Sequence, residues 1–135
     1  MIFAGYSYPR DPKANRLLGS LDEMKVYFSR LGERLGVSLG PPEMLVKKLG
    51  YQYLQTGRSQ LGISAFRFNV DQHRESANAW DSLAEGLERS GDLPEALASY
   101  RKAVAWAEAQ HDPSLAAFRK HLSRLEAAQQ KAPSH

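Results

Sequence analysis

Three groups of residues in this chain are of a type that could do chemistry. The first is Gly5-Tyr6-Ser7-Tyr8-Pro9, the nearest approach to a G-x-S-x-G nucleophile elbow. An elbow holds its serine on a strained turn between a strand and a helix, with a glycine on each side to admit the close backbone. Here Pro9 stands where the second glycine belongs, and no strand leads in, so Ser7 reads as an ordinary loop serine. The second group is the histidines His73, His111, His121 and His135. No two are spaced i,i+4 with an acidic neighbour as on a zinc-binding helix. They read as helix-end or surface residues, with no metal and no cofactor expected. The third group is Asp81, Glu85 and Glu88, spaced four and three apart and so on one face of a helix. Like charges so placed oppose each other. They form a solvated face, an acidic lip for a basic or amide-rich peptide, or a dock for residues 1–19 or for a second copy of the chain.

The elements that would position these residues follow from punctuation and periodicity. Residues 1–19 carry two prolines and two glycines and read as an irregular arm, yet Ile2, Phe3, Tyr6 and Tyr8 are too apolar for a free tail. They are candidates for self-association, giving a possible homodimer through the arm. Ser20-Leu21-Asp22-Glu23 is a capping box opening a helix over about 20–35, and Gly36 suits its end. Gly40-Pro41-Pro42 breaks the chain. Helices are then expected over about 42–56, 59–73, 77–90, 93–110 and 113–127, giving a helical domain over 20–128 and a disordered tail over 129–135. The fold class is all-α, with about six helices.

Composition narrows the function. The chain has 135 residues, 42% hydrophobic and 24% charged, enough for one domain with a modest core. Without cysteine there is no disulfide or thiolate–zinc site, which fits a cytoplasmic location. Its apolar runs are short, so no membrane span is expected, and the N-terminus lacks the pattern of a secretory signal. The net charge of +3 is dispersed in pairs such as Lys47-Lys48, Arg101-Lys102 and Arg119-Lys120. Nucleic-acid binders present a basic stripe, so nucleic acid is not an expected partner.

Two stretches match at an offset of 34 residues. Val46, Leu49, Gly50, Tyr53, Gly57, Gly62 and Phe66 align with Trp80, Leu83, Ala84, Leu87, Gly91, Ala96 and Tyr100. Small residues recur at Gly50/Ala84 and Gly62/Ala96, where paired helices would cross closely. The pattern Trp80-x2-Leu83-Ala84-x2-Leu87, then Ala96-x3-Tyr100, resembles the W-x2-L-G-x2-Y, A-x3-F signature of tetratricopeptide (TPR) repeats. The resemblance implies a short helical superhelix of two repeats with flanking capping helices. It departs from the family where a closing proline is usual, since Arg74 and Glu108 stand there.

More narrowly, Gly50-Tyr51-Gln52-Tyr53-Leu54, Ala65-Phe66-Arg67-Phe68-Asn69-Val70 and Ser76-Ala77-Asn78-Ala79-Trp80-Asp81-Ser82-Leu83-Ala84-Glu85 resemble the TPR-like C-terminal tail of bacterial α/β-hydrolases of the ferric-siderophore-esterase-like family. Ile2-Phe3-Ala4-Gly5-Tyr6 is similar to the end of their hydrolase domain. The resemblance implies a serine esterase only when joined to a catalytic domain, with the nucleophile, acid and histidine lying before residue 1. This chain is then a non-catalytic interaction or oligomerisation module. The alternative is a stand-alone adaptor that binds an extended peptide. By the TPR resemblance, the groove surface includes Lys47, Tyr51, Asn78, Asp81, Glu85 and Glu88. Lys47 and Asn78 alone do not make a carboxylate clamp, and the acidic residues would repel one.

Overall fold

A computed structural model describes residues 10–11, 16–17 and 20–131. Six helices occupy most of the described chain: α1 (Leu21–Leu35), α2 (Glu43–Gln55), α3 (Ser59–Gln72), α4 (Ala77–Ser90), α5 (Leu93–Ala109) and α6 (Leu115–Lys131). The fold is all-α. Ahead of α1, within the stretch expected to be irregular, two short strands, β1 (Arg10–Asp11) and β2 (Arg16–Leu17), pair antiparallel.

Local chemistry explains the boundaries. The Ser20 hydroxyl accepts from the Glu23 amide and Gly36 closes α1 at φ 73°. Asp92 accepts from the Glu95 amide at the start of α5, with Pro94 in the first turn where its missing N–H costs nothing. Gly57 and Gly91, equivalent at the 34-residue offset, both take left-handed conformations after their helices, which glycine does without strain. The last helix differs from expectation. The Asp112 carboxylate instead accepts from the Ser114 amide, so residues 112–114 form a turn and α6 begins at Leu115. It then continues to Lys131, beyond the expected end near 127, so residues 129–131 are helical and not a disordered tail. Leu125, only 3% exposed, anchors this half, and Ala127, Ala128, Gln129, Gln130 and Lys131 are good helix formers. The remaining tail residues, 132–135, lie outside the described residues.

The helices form two layers. α2, α4 and α6 run side by side in the same direction. Tyr51 of α2 meets Ser82 and Glu85 of α4, while Asp81 and Glu88 of α4 meet His121 and Arg124 of α6. α1, α3 and α5 form the other layer. Lys25 of α1 lies over the Phe68 ring of α3, and Arg67 of α3 pairs with Glu95 of α5. Ser76, the N-cap of α4, accepts from the Ala79 amide and donates to Glu43 at the start of α2, tying equivalent ends of adjacent pairs together.

Between the layers, Phe66 is fully buried and forms the centre of the packing. Its ring lies against Gly50 of α2 on one side and Gly86 of α4 on another. A β-carbon at Gly50 would strike the Phe66 ring, and one at Gly86 would sit 3.1 Å from it. Tyr51 meets the same ring edge-on at 5.0 Å between centroids. A β-carbon at Gly62 would come 2.9 Å from the Gly50 carbonyl oxygen, so α2 and α3 cross too closely there to admit a side chain without a shift. Ala84 and Ala96, at the equivalent positions of α4 and α5, are fully buried. The small residues at these crossings are therefore there for packing. α1 closes one end of the core with Met24, Phe28 and Leu31 against Val46, Leu49 and Tyr53. α6 closes the other with Phe118 and Leu125.

Candidate functional site

Several charged and polar side chains converge on the α2–α4–α6 face. Three of its carboxylates belong to α4, a helix with Ser76 as its cap and Gly91 as its stop. At the turn positions 81, 85 and 88 these carboxylates project toward the neighbouring helices.

Each of the three has a specific partner. Glu85 accepts from the Tyr51 hydroxyl at 2.9 Å through one oxygen and from Arg89 at 2.7 Å through the other. The Ser82 hydroxyl lies 3.2 Å from the Tyr51 oxygen, placed to donate to it. Asp81, 9% exposed, meets Nδ1 of His121 at 2.9 Å. Glu88 receives a two-pronged bond from Arg124, at 2.8 and 2.7 Å, and a third bond at 2.9 Å from the buried Tyr100 hydroxyl of α5. The like-charge repulsion expected along this face is thus offset by two arginines at Glu85 and Glu88, and Asp81 is hydrogen-bonded to an imidazole. The face is neither freely solvated nor an open acidic lip.

The proton equilibria follow from this geometry. Burial pushes the Tyr51 hydroxyl well above the usual phenol range; its bond with Ser82 opposes this, and the Glu85 charge adds to it. Burial also pushes Tyr100 up, reinforced by Glu88. Both phenols therefore stay protonated and act as donors. Burial raises the Asp81 carboxyl, with the His121 bond and charge working against it. The Arg124 bond holds Glu88 below the ordinary glutamate value of 4.5.

The signs differ, and so do their consequences for stability. The lowered Glu88 value stabilises the fold above the ordinary glutamate range, and this contribution is lost as pH falls through the folded value. The raised Asp81 value acts oppositely: its contribution is present at low pH and is lost as pH rises. Thermal unfolding followed from neutral to acid pH should therefore show a flatter acid limb in Glu88→Gln than in wild type. In Asp81→Asn the limb should steepen. A Glu88→Gln limb identical to wild type would show that the Arg124 bond is not formed in solution.

Of the other predicted groove residues, Lys47 is half-buried on α2, near enough to Asp81 for its charge to favour the carboxylate. Asn78 is exposed in the first turn of α4 and joins none of these bonds. Ile2, Phe3, Tyr6, Tyr8 and Ser7 lie outside the described residues. His121 and Arg124, central to the observed site, were absent from the predicted groove. The third helix of the layer starts 38 positions after the second, at Leu115 against Ala77, whereas Glu43 and Ala77 are 34 apart. The repeat spacing therefore could not place α6. The available signal was the i,i+3 pair His121/Arg124 beside the apolar stripe Leu115, Phe118, Leu122 and Leu125.

Glu85, Glu88, Arg89, Tyr100, His121 and Arg124 line an open cavity of about 480 Å³. His121 and Asp81 have the geometry of a base and its orienter, but among the described residues no hydroxyl or thiol nucleophile other than the phenol of Tyr100 lines the cavity. Among the described residues, no group of three or more His, Cys, Asp or Glu could hold a metal ion. Among them, too, no helix is long and apolar enough to cross a membrane. No family model matches the chain, and no curated protein matches it.

Proposed function

We propose that the chain is a non-catalytic protein-interaction module of TPR type, whose α2–α4–α6 face holds an extended peptide segment. The observation that carries this reading is the cavity on that face, walled by polar side chains from α4, α5 and α6 that are already oriented by one another. Donors and acceptors fixed in advance lower the entropic cost of ordering a flexible ligand. The sequence resemblance to TPR repeats supports the same reading. The narrower resemblance, to the C-terminal region of bacterial esterases, makes the module's natural setting an accessory to a hydrolase. The chain itself contributes a scaffold and a binding face.

Peptides selected from a random library against the purified chain test this directly. Mapped by amide shift perturbation, they should cluster on Tyr51, Glu85, Glu88, His121 and Arg124. Selected binders that map instead to the α1–α3–α5 layer would overturn the assignment of the face. Hydrolysis of p-nitrophenyl acetate by the purified chain, persisting in Ser7→Ala, would overturn the non-catalytic reading.

A further inference from the structure

The hydrogen-bond inventory of the cavity specifies what it accepts. Both oxygens of Glu85 and both of Glu88 already accept bonds, and each carboxylate has its own guanidinium, Arg89 and Arg124. The cavity therefore has no uncompensated glutamate to attract a lysine or arginine side chain. Arginine carries five N–H donors, so both guanidiniums keep donors beyond those used here. The remaining side chain is His121. Ionised Asp81 can only accept, so it fixes the proton of a neutral His121 on Nδ1 and leaves a lone pair on Nε2. That nitrogen has no partner among the described residues, and the side chain is 43% exposed at the cavity. With His121 in its neutral form, the open valences are one acceptor and several donors, in a setting where most charges are matched.

A carboxylate would turn lone pairs toward the His121 lone pair and sit beside Asp81, Glu85 and Glu88. An ammonium would satisfy Nε2 but add a cation beside Arg89 and Arg124. A carboxamide offers both an N–H and a carbonyl oxygen, and carries no charge. We propose that this cavity receives the side-chain amide of an asparagine or glutamine in a peptide, its NH2 donating to His121 Nε2 and its carbonyl accepting from Arg89 or Arg124. This rests on the binding reading above and names the chemistry of its ligand.

The test uses the full chain, 15N-labelled, in mildly alkaline buffer. It is titrated separately with the N-methylamide-capped peptides acetyl-Gly-Gln-Gly-NHMe, acetyl-Gly-Glu-Gly-NHMe and acetyl-Gly-Lys-Gly-NHMe, so that only the first carries a primary carboxamide. The three probes share their backbone amides and differ only in the side chain. The glutamine peptide should shift the amides of Glu85, Glu88, His121 and Arg124, and bind about three- to tenfold more tightly than the other two, as expected for one neutral hydrogen bond. His121→Phe should abolish the preference. His121→Gln, which keeps both a donor for Asp81 and an acceptor for the ligand, should retain most of it. Equal binding of the three probes, no shifts with the glutamine peptide, or a preference unchanged in His121→Phe would each overturn the proposal. Library-selected peptides that bind the same face but lack asparagine and glutamine would overturn the amide inference and leave the binding function standing.

Discussion

Replacing Phe66 with alanine is expected to destabilise the protein by about 3–5 kcal/mol. The ring is fully buried and lies at the junction of three helices, against Gly50, Gly86 and the edge of Tyr51. Two features set the cost at this level. The transfer energy of a whole aromatic ring is lost, and two of the walls are glycine backbone with no side chain to swing into the space. Tyr51 also loses the ring that packs it, and its hydroxyl holds Glu85. Chemical denaturation should show the midpoint fall with the helical signal intact below it, and the library-selected peptides should bind more weakly. A loss below about 1 kcal/mol would mean that the two helix pairs can close over the gap, and that the glycine contacts do not fix their spacing.

The second expected result is the converse, an addition. Gly50→Ala should cost about 1–3 kcal/mol, although alanine is the better helix former by about 1 kcal/mol. The new methyl group would strike the Phe66 ring, which is held on its other side by Gly86 and cannot retreat. The loss should therefore depend on the ring. In Phe66→Leu the same Gly50→Ala change should cost less, so the two substitutions should show a coupling energy on the order of 1 kcal/mol in a double-mutant cycle. Additive behaviour of the pair would place the cost in the helix itself and not in the contact. Gly62 has a similar constraint of a different kind: its neighbour is the Gly50 carbonyl, which is backbone.

These residues also mark how much of the fold is legible in the sequence. Gly50 and Gly62 were legible because each recurs as a small residue 34 positions on, and a helix has few reasons to keep a glycine in its interior. Gly86 escaped, although it touches the same ring, because its partner position is Gln52 and no repeat draws attention to it. The positions of α2 to α5 followed from caps and stops that act within a few residues. The start of α6 depends on the length of α5, which runs 17 residues against 14 for α3, and on a turn in which His111 takes a positive φ of 52°. That shift decides which residues of α6 face Asp81 and Glu88. The three carboxylates were legible as a row on one helix face, but their neutralisation was not. Charge spacing along one helix contains no information about the cations on the next.

α6 is attached differently from the helices it lies against. Only Phe118 and Leu125 of its 17 residues are buried. Beyond these and the half-buried Leu115 and Leu122, it is held by the arginine–carboxylate pairs Arg124 to Glu88, Arg119 to Glu108 at 3.3 Å and Arg101 to Glu126 at 3.4 Å, and by the His121–Asp81 hydrogen bond. Exposed pairs of this kind contribute from nothing to about 1 kcal/mol each and are screened by salt. The element carrying His121 and Arg124 is thus the one whose hold on the rest weakens most readily with ionic strength. Under the proposed binding function, affinity at the cavity and the local opening of this last helix are coupled: a ligand that bridges α4 and α6 would do part of its work by fastening the wall it binds, and the solvent's salt content would set how much fastening remains to be done.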